Sequence, residues 1–321
     1  MILVGGENLI DFIQVSSEGG APHYRANVGG SPFNTTKALA RQGMSVGYMT
    51  SISSDTMGDL LADDLIKEGV ELLAPRRAEP TSLAVVSLKS GTPSYQFYRE
   101  NTADRIVTLE GLLGQLPDGL ASAFQLGSLA ITGGDDAEAW VDFYIQMKAA
   151  GVFTSLDPNI RPAFIHDRKV YLARLARLLE KTDLIKLSDE DLEWIFPDEP
   201  LFAAAEKLSR QTSAKLVVVT LGPDGAFAIF KGNTTIIKPA PVNGLVDTVG
   251  AGDTFMAALI ASLFQSGRLS CTALEAMSES DVEFLLKRAS CAAALNCEQA
   301  GCNPPDLRTL DKIYPVKMGK A

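Results

Sequence analysis

The stretch Asp247-Thr-Val-Gly-Ala-Gly-Asp253 leads directly into residues 253–264, which are apolar on nearly every side. A helix with this composition is buried, so its first turn should open onto a cleft inside the protein. The small residues before it let a ligand approach the backbone closely, and the free amides and dipole of a helix N-terminus favour an anion. The sequence therefore predicts an anion-binding helix start.

Asp253 lies in the first turn of this predicted helix. The field of a helix N-terminus favours an ionised carboxylate, so we expect a weak base that accepts a proton late in a reaction. Such a site suits phosphoryl transfer, in which positioning and charge stabilisation do most of the work. The glycine spacing alone fits equally well a tight loop at Gly250 and Gly252, with Asp253 as a helix cap.

Short strand-like runs alternate with helix-like segments over most of the 321 residues. This alternation is typical of an α/β fold with a largely parallel sheet. One helix is predicted to start at Ser31, as its cap, and to end at Gly43. A second helix follows Asp55 and stops at Gly69.

Three apolar runs in the second half of the chain are followed by, or end in, a polar residue: Asp157, Ser188 and Thr220. Ligands bind at the carboxyl ends of the strands in open α/β sheets, so we expect these residues near the site. Two other segments, about 12–28 and 70–105, break the alternation and look like antiparallel strands of a small separate sheet. That sheet is either a lid over a cleft or a peripheral hairpin.

The charge balance and the missing motifs exclude several classes of protein. With 39 acidic and 29 basic side chains, the net charge of −10 argues against a nucleic-acid binder. No apolar run approaches the ~20 residues of a membrane span, and the N-terminus resembles a first strand rather than a signal peptide. We expect a soluble, cytoplasmic protein. The P-loop pattern is absent, and Phe255 stands where a dinucleotide fingerprint needs its third glycine.

Residues 247–255, Asp-Thr-Val-Gly-Ala-Gly-Asp-Thr-Phe, resemble the C-terminal signature of the ribokinase-like (PfkB) family of carbohydrate kinases. The resemblance implies one α/β domain over residues 1–321, with a central, mostly parallel sheet flanked by helices. It also implies a small β-sheet lid, formed by about 12–28 and 70–105.

The same resemblance assigns roles to the glycine-rich stretch. The backbone of Gly250, Ala251 and Gly252 would form an anion hole for the transferred phosphate. Asp253 would be the catalytic base.

A second element, Thr220-Leu-Gly-Pro-Asp-Gly225, resembles the nucleotide loop of the family. It implies that Thr220, Gly222 and Gly225 lie near the phosphates and ribose of ATP. Asn296 falls where the family flanks the adenine. The alternatives are an ordinary Pro-Asp-Gly turn for the loop and a helix C-terminus for Asn296.

Two N-terminal elements, Gly5-Gly-Glu-Asn-Leu-Ile-Asp11 and Gly29-Gly-Ser-Pro-Phe-Asn34, resemble the sugar-binding elements of the family. Asp11 would accept hydrogen bonds from two sugar hydroxyls, and Gly29 and Gly30 would let the backbone come close. Asn34 both donates and accepts, which suits a polyol. The alternatives are a solvated strand end for Asp11 and an ordinary first-turn residue for Asn34.

Arginine and asparagine side chains complete the predicted acceptor end. Arg99, in the lid segment, is placed to reach the sugar or the transferred phosphate, although a solvated arginine fits as well. Asp157-Pro-Asn-Ile-Arg161 resembles an element of fructokinases and ketodeoxygluconate kinases. Arg161 would assist the phosphates through its planar fork, and Asn159 would line the floor of the cleft.

The resemblance also implies cations beside ATP. The metal element of the family aligns with Ser188-Asp-Glu-Asp191, so Glu190 or Asp191 would place Mg²⁺ through water. Asp247 and Val249 match the segment near which a monovalent cation such as K⁺ activates some members.

Taken together, these elements predict an ATP-dependent sugar kinase, with D-fructose as the favoured acceptor. A 2-keto-3-deoxygluconate kinase is the close alternative, and a non-catalytic sugar or nucleotide sensor on the same fold is the alternative from another class. A dinucleotide-dependent oxidoreductase is disfavoured by the missing fingerprint. An open edge of the lid sheet favours a homodimer formed through the lid.

Overall fold

The computed structural model describes residues 1–16, 22–89, 92–119 and 121–318. Strands and helices are numbered along the chain. The main sheet contains, in spatial order, β13 (Asn233–Ile237), β12 (Ala226–Phe230), β11 (Leu216–Thr220), β10 (Leu184–Ser188), β9 (Phe153–Asp157), β8 (Ala123–Gly127), β1 (Ile2–Val4), β4 (Val46–Tyr48) and β5 (Glu71–Leu72). From β11 to β5 all neighbours are parallel, and β12 and β13 add an antiparallel edge.

Helices cover both faces of this sheet. They are α1 (Ser31–Arg41), α2 (Thr56–Lys67), α3 (Leu109–Gly114), α4 (Asp135–Ala149), α5 (Arg168–Leu179), α6 (Asp189–Ile195), α7 (Leu201–Gln211), α8 (Ala251–Gln265), α9 (Cys271–Glu275), α10 (Glu279–Cys297) and α11 (Leu307–Met318). Successive residues of a strand face opposite sides. Accordingly Ile2 and Val4 join the core beneath α1, α8 and α10, whereas Leu3 joins the core beneath α4, α5 and α7. The predicted α/β architecture is confirmed.

A second sheet, called the small sheet below, has the order β3 (His23–Gly29), β2 (Leu9–Ser16), β6 (Ser82–Lys89) and β7 (Thr92–Tyr98). The expectation of antiparallel strands is wrong for one pair, because β2 and β6 run parallel. The chain between them passes through the main sheet, and such a long connection permits a parallel pair.

The boundaries of the predicted lid segments also change. The segment 70–105 begins too early, because β5 belongs to the main sheet. Residues 17–21 and 90–91 of the two segments lie outside the described residues. A lid function for the small sheet stays a prediction.

Asp55 connects α2 to the small sheet. Its Oδ1 accepts hydrogen bonds from the Gly58 amide at 2.7 Å and from the Thr81 hydroxyl at 2.6 Å, and Oδ2 accepts one from the Thr81 amide at 2.9 Å. The predicted start of α2 after Asp55 is therefore confirmed, and Asp55 is its N-cap. Burial raises the pKa of Asp55, but the hydrogen bonds from Thr81 and Gly58 outweigh it and leave the pKa below 3.8.

We expect Asp55→Ala to lower the free energy of unfolding by about 2 kcal/mol, because a cap and two further hydrogen bonds are lost. Asp55→Asn keeps a cap oxygen and should lose less. The stabilisation is complete above the unfolded pKa and disappears as the pH falls through the lower folded pKa. Urea unfolding at pH 7 and at pH 3 measures both effects, and equal losses for the two variants would contradict the capping role.

Among the described helices, none is both long enough and apolar enough to cross a membrane.

Candidate active site

Asp253, in the first turn of α8, meets the first turn of α1. The Ser31 hydroxyl donates to Asp253 Oδ1 at 2.6 Å, and Asn34 Nδ2 donates to Asp253 Oδ2 at 2.8 Å. These partners come from positions 222 and 219 residues earlier in the chain. The carboxylate is 7% exposed. The fold thus brings together Asn34, which was predicted to bind the sugar, and Asp253, which was predicted to be the base.

Ser31 has a different role from the one predicted. The N-cap of α1 is Gly30, at φ 109°, and no side chain caps this helix. A Cβ on Gly30 would lie 2.6 Å from the Glu7 carbonyl oxygen, so only glycine fits. A serine before a proline at a helix start resembles a cap, and no local pattern shows that its hydroxyl bonds to Asp253.

Burial raises the pKa of Asp253 above 3.8. Hydrogen bonds from Ser31 and Asn34 lower it only in part, as do the positive charges of Lys186 and Arg161. The expectation of a weak base held ionised by the helix field is therefore wrong in direction, because the loss of water outweighs the favourable field. Asp253 is a stronger base than an exposed carboxylate.

The backbone before α8 turns through a left-handed residue and leaves two amides without an acceptor among the described residues. Gly250 is left-handed, at φ 74°, and its carbonyl accepts the Thr254 amide at 2.8 Å. The Ala251 amide donates to the Thr248 carbonyl at 3.2 Å. The amides of Gly250 and Gly252 donate to no acceptor among the described residues. Gly250 and Gly252 are thus the donors available to an anion here, and Ala251 is partly engaged.

Lys186 is a buried charge beside this loop that the sequence analysis missed. It lies within β10 and is 4% exposed, with Nζ 2.7 Å from Asp157 Oδ2 and 3.5 Å from the Gly252 carbonyl oxygen. The sequence does mark this residue, since a single lysine interrupts the apolar run 184–187. A lysine in a buried strand requires a partner, and Asp157 ends the neighbouring strand β9.

Asp11 of β2 and Gly29 of β3 are diagonal neighbours, because Gly29 pairs with Leu9 and Asp11 pairs with Asn27. A Cβ on Gly29 would lie 2.5 Å from Asp11 Oδ2, so the glycine leaves room for this carboxylate. Burial raises the pKa of Asp11 to about 6. The two residues predicted for the sugar are therefore adjacent.

Glu7 fixes the start of α1 and was not predicted. Its Oε1 accepts the Ser31 amide at 3.1 Å and its Oε2 accepts the Leu129 amide at 3.1 Å. Burial raises its pKa, although the charge of Arg99 lowers it in part. Glu7 therefore links α1 to the turn that follows β8.

Arg99 is held inside the protein. It is 8% exposed and donates from Nη2 to Asp104 Oδ2 at 2.9 Å. Asp104 also accepts the hydroxyls of Ser82 and Thr102 at 2.6 Å and 2.7 Å. The Nε of Arg99 has no hydrogen-bond partner among the described residues. The charge of this predicted ligand group is already neutralised by Asp104.

The loop after β9 carries Asn159 and Arg161. Asn159 is half-buried at φ 38°, and Arg161 is exposed and donates to the carbonyl oxygens of Asn159 and Ile160 at 3.3 Å and 3.2 Å. Asp191 Oδ1 accepts the Ile160 amide at 2.7 Å and so holds the loop. The positive charge of Arg161 lowers the pKa of Asp253 in part.

Asp191 and Glu190 differ in their surroundings. Asp191 Oδ2 accepts the Ser188 amide at 2.9 Å in the capping box of α6, so both of its oxygens bind backbone amides. Glu190 is exposed. Across the described ranges, no three His, Cys, Asp or Glu side chains are grouped so that they could hold a metal ion.

The predicted nucleotide loop follows β11. Thr220 is half-buried, and Gly222 is exposed at φ 54°. Gly225 is buried at φ 103°, and a Cβ there would lie 2.3 Å from the Ile237 carbonyl oxygen. Gly225 is thus required by packing against β13, whereas Thr220 and Gly222 are accessible at the carboxyl end of β11.

Asn296 is completely buried, and both polar atoms of its side-chain amide form hydrogen bonds within the protein. Nδ2 donates to the Val249 carbonyl at 2.7 Å, and Oδ1 accepts the Asn303 amide at 2.9 Å. Asp247 accepts the amides of Val249 and Gly301 at 3.0 Å and 2.9 Å. These bonds fasten the loop before α8, and they engage the groups predicted for adenine and for a monovalent cation.

Residues 1–310 match the family model described as pfkB family carbohydrate kinase. The chain belongs to this family. It is 36% identical over 284 residues to a fructokinase of Rhizobium leguminosarum bv. trifolii, covering 87% of this chain and 84% of that protein. A fructokinase of Salmonella typhimurium is 31% identical over 252 residues, or 77% of this chain and 80% of that protein.

The solved structures agree with the assignment to the PfkB family. A crystal structure of a Xylella fastidiosa fructokinase with bound ATP is similar with a TM-score of 0.88 at 26% identity, over 99% of both chains. The predicted family and the ribokinase-like fold are therefore confirmed.

Proposed function

We propose that this PfkB kinase transfers the γ-phosphate of ATP to a sugar hydroxyl, with D-fructose as acceptor and fructose 6-phosphate as product. One observation carries the proposal. Asp253 lies between the backbone amides of Gly250 and Gly252 and the α1 side chains Ser31 and Asn34. A base, an anion site and a polyol-binding element therefore meet at one point.

The reaction follows from these groups. The sugar hydroxyl gives its proton to Asp253 while its oxygen bonds to the γ-phosphorus, and the bond to the bridging oxygen breaks to release ADP. Both oxygens of Asp253 already accept one hydrogen bond, and each has a further lone pair for the sugar. The amides of Gly250 and Gly252 bind the charge on the transferred group.

The choice of fructose rests on charge and on the relatives. The carboxylate of 2-keto-3-deoxygluconate would need a cation, and Arg99 is already paired with Asp104. Asp11, beside Gly29, offers a carboxylate to neutral hydroxyls and would repel an acid. The relative that is 36% identical is a fructokinase.

Further residues are proposed to bind ATP and its cations. We propose that Thr220 and Gly222 contact ATP, and that Asn296 holds the loop instead of contacting adenine. Glu190, which is exposed, would contact the water ligands of a Mg²⁺ ion bound to ATP, and that ion would lower the charge of the phosphates. A K⁺ site at Asp247 and Val249 stays a prediction.

The assembly and location also stay predictions. A homodimer through the small sheet would use its edge strands β3 and β7, on which Tyr24 and Tyr98 are exposed. A cytoplasmic location fits a kinase that uses ATP.

We expect ADP release only when a matching sugar is present. The value of kcat/KM should be highest for fructose, by about tenfold or more over the other sugars. A tenfold difference corresponds to about 1.4 kcal/mol of transition-state binding. A coupled ADP assay should compare fructose, 2-keto-3-deoxygluconate, ribose, glucose and adenosine. A higher value for 2-keto-3-deoxygluconate would reject the fructose assignment. ATP binding without ADP release on any acceptor would support a sensor.

A further inference from the structure

Lys186 occupies a position that is unfavourable for a charged group unless its neighbours compensate. Transfer of an ammonium group from water to a protein interior costs several kcal/mol, and a partner with good geometry must offset that cost. Asp157 is that partner, at 2.7 Å, and the side chains of both residues are at most 6% exposed. Burial lowers the pKa of Lys186, but attraction to Asp157 outweighs it, so the lysine is charged.

The charges around Lys186 do not balance as a simple pair. Besides Asp157, the carboxylates of Asp253 and Asp191 also act on its pKa. Asp157 itself has a pKa raised to about 6, first by burial and then by Asp191 and Asp253 against the pull of Lys186. The ammonium group of Lys186 thus contacts Asp157 directly and also interacts electrostatically with two further carboxylates, those of Asp253 and Asp191.

Lys186 also contacts the loop that leads into α8. Its Nζ is 3.5 Å from the Gly252 carbonyl oxygen, and a Cβ on Gly252 would lie 3.1 Å from Nζ. The ammonium therefore lies beside the first turn of α8, between the sheet and the residue that precedes Asp253. Its position links the carboxyl ends of β9 and β10 to the loop that should hold the transferred phosphate.

We propose that Lys186, held by Asp157, is a positioning residue for phosphoryl transfer, which anchors the first turn of α8 and offsets the negative charge of Asp253. This inference rests on the proposed kinase function. Asp253 accepts hydrogen bonds from Ser31 and Asn34 of α1. The charged and titratable groups that interact with it electrostatically are Lys186 of β10, Asp157 of β9, Arg161 of the following loop and Cys302.

Lys186→Met is the first variant, because methionine has a similar length and no charge. We expect kcat to fall by about 10–100-fold and KM for ATP and sugar to change by less than about threefold, since the loop is displaced and binding groups remain. Activity requires deprotonated Asp253, so it is lost as the pH falls. Loss of a nearby positive charge raises the pKa of Asp253, and the acid limb of kcat/KM should move up by about one pH unit.

The double variant Lys186→Met/Asp157→Asn distinguishes two roles of Lys186. In one, the lysine positions the first turn of α8; in the other, it only neutralises the buried charge of Asp157. If Lys186 only satisfies Asp157, removing both charges restores kcat. If our proposal holds, the double variant stays as slow as Lys186→Met, because the ammonium group that lies beside the Gly252 carbonyl is still missing. Recovery of kcat in the double variant, or an unshifted acid limb in Lys186→Met, overturns the proposal.

Lys148→Met is the matched control. Lys148 pairs with buried Asp183 next to the other end of β10, away from the loop before α8. It should lower the melting temperature and leave kcat and the pH profile unchanged. If the wild-type protein shows no sugar-dependent ADP release, the proposed function fails. If the wild type is active and Lys186→Met matches it, only this inference fails.

Discussion

Replacing Asp253 by asparagine should lower kcat by about 10³–10⁴-fold and leave the affinity for ATP nearly unchanged. The sugar hydroxyl would then lose its proton acceptor, while the amides of Gly250 and Gly252 stay in place. Asparagine has the same shape, and the hydroxyl of Ser31 and the amide of Asn34 can reorient to bond with it. The fold should therefore survive.

The coupled ADP assay gives kcat, and calorimetric titration gives the dissociation constant of ATP for both proteins. A melting temperature within a few degrees of the wild type serves as the control for folding. In the wild type, the acid limb of kcat/KM should lie above pH 3.8, because burial raises the pKa of Asp253. An asparagine variant that turns over within tenfold of the wild type would show that Asp253 is not the base.

Gly250→Ala should lower kcat by about 10²–10³-fold, the loss expected when an anion-hole donor is displaced. Two effects combine at this position. A side chain at φ 74° costs about 1–2 kcal/mol. In addition, the new Cβ would lie 2.4 Å from Cys302 Sγ and 2.7 Å from its Cβ, so the loop has to move.

Gly232→Ala is the control for the first effect alone. Gly232 has φ 79°, and a Cβ there meets nothing within 4 Å. Both variants should lose stability in urea unfolding, and only Gly250→Ala should lose kcat. A Gly250→Ala protein that is destabilised yet fully active would mean that the amide of Gly250 does not bind the transferred phosphate.

The regular parts of the fold were predictable because they follow from local patterns. The alternation of apolar runs gave the parallel sheet, and Asp55 and Gly69 correctly marked the ends of α2. The parallel pairing of β2 with β6 was not predictable. It depends on where the chain returns after crossing the main sheet, and strand sequences look the same in either direction.

The position of the candidate site was predictable where a motif marks it, as with the residues from Asp247 to Asp253, whose chemical roles stay a prediction. It was missed where a role depends on distant partners. Ser31 resembled a helix cap and Lys186 a minor interruption of a strand, since their acceptors lie elsewhere in the chain. The raised pKa of Asp253 was missed for a similar reason: the helix field is visible in sequence, whereas loss of water depends on the packing of α1 against α8.

The hydrogen bonds from α1 to Asp253 join positions 222 and 219 residues apart. Contacts of this separation close very large loops, and the entropy lost in closing such a loop slows folding. A chain still emerging from the ribosome contains α1 before the helix that carries Asp253 has been made. We therefore expect the return of sugar-dependent ADP release during refolding to report that α1 and α8 have come together.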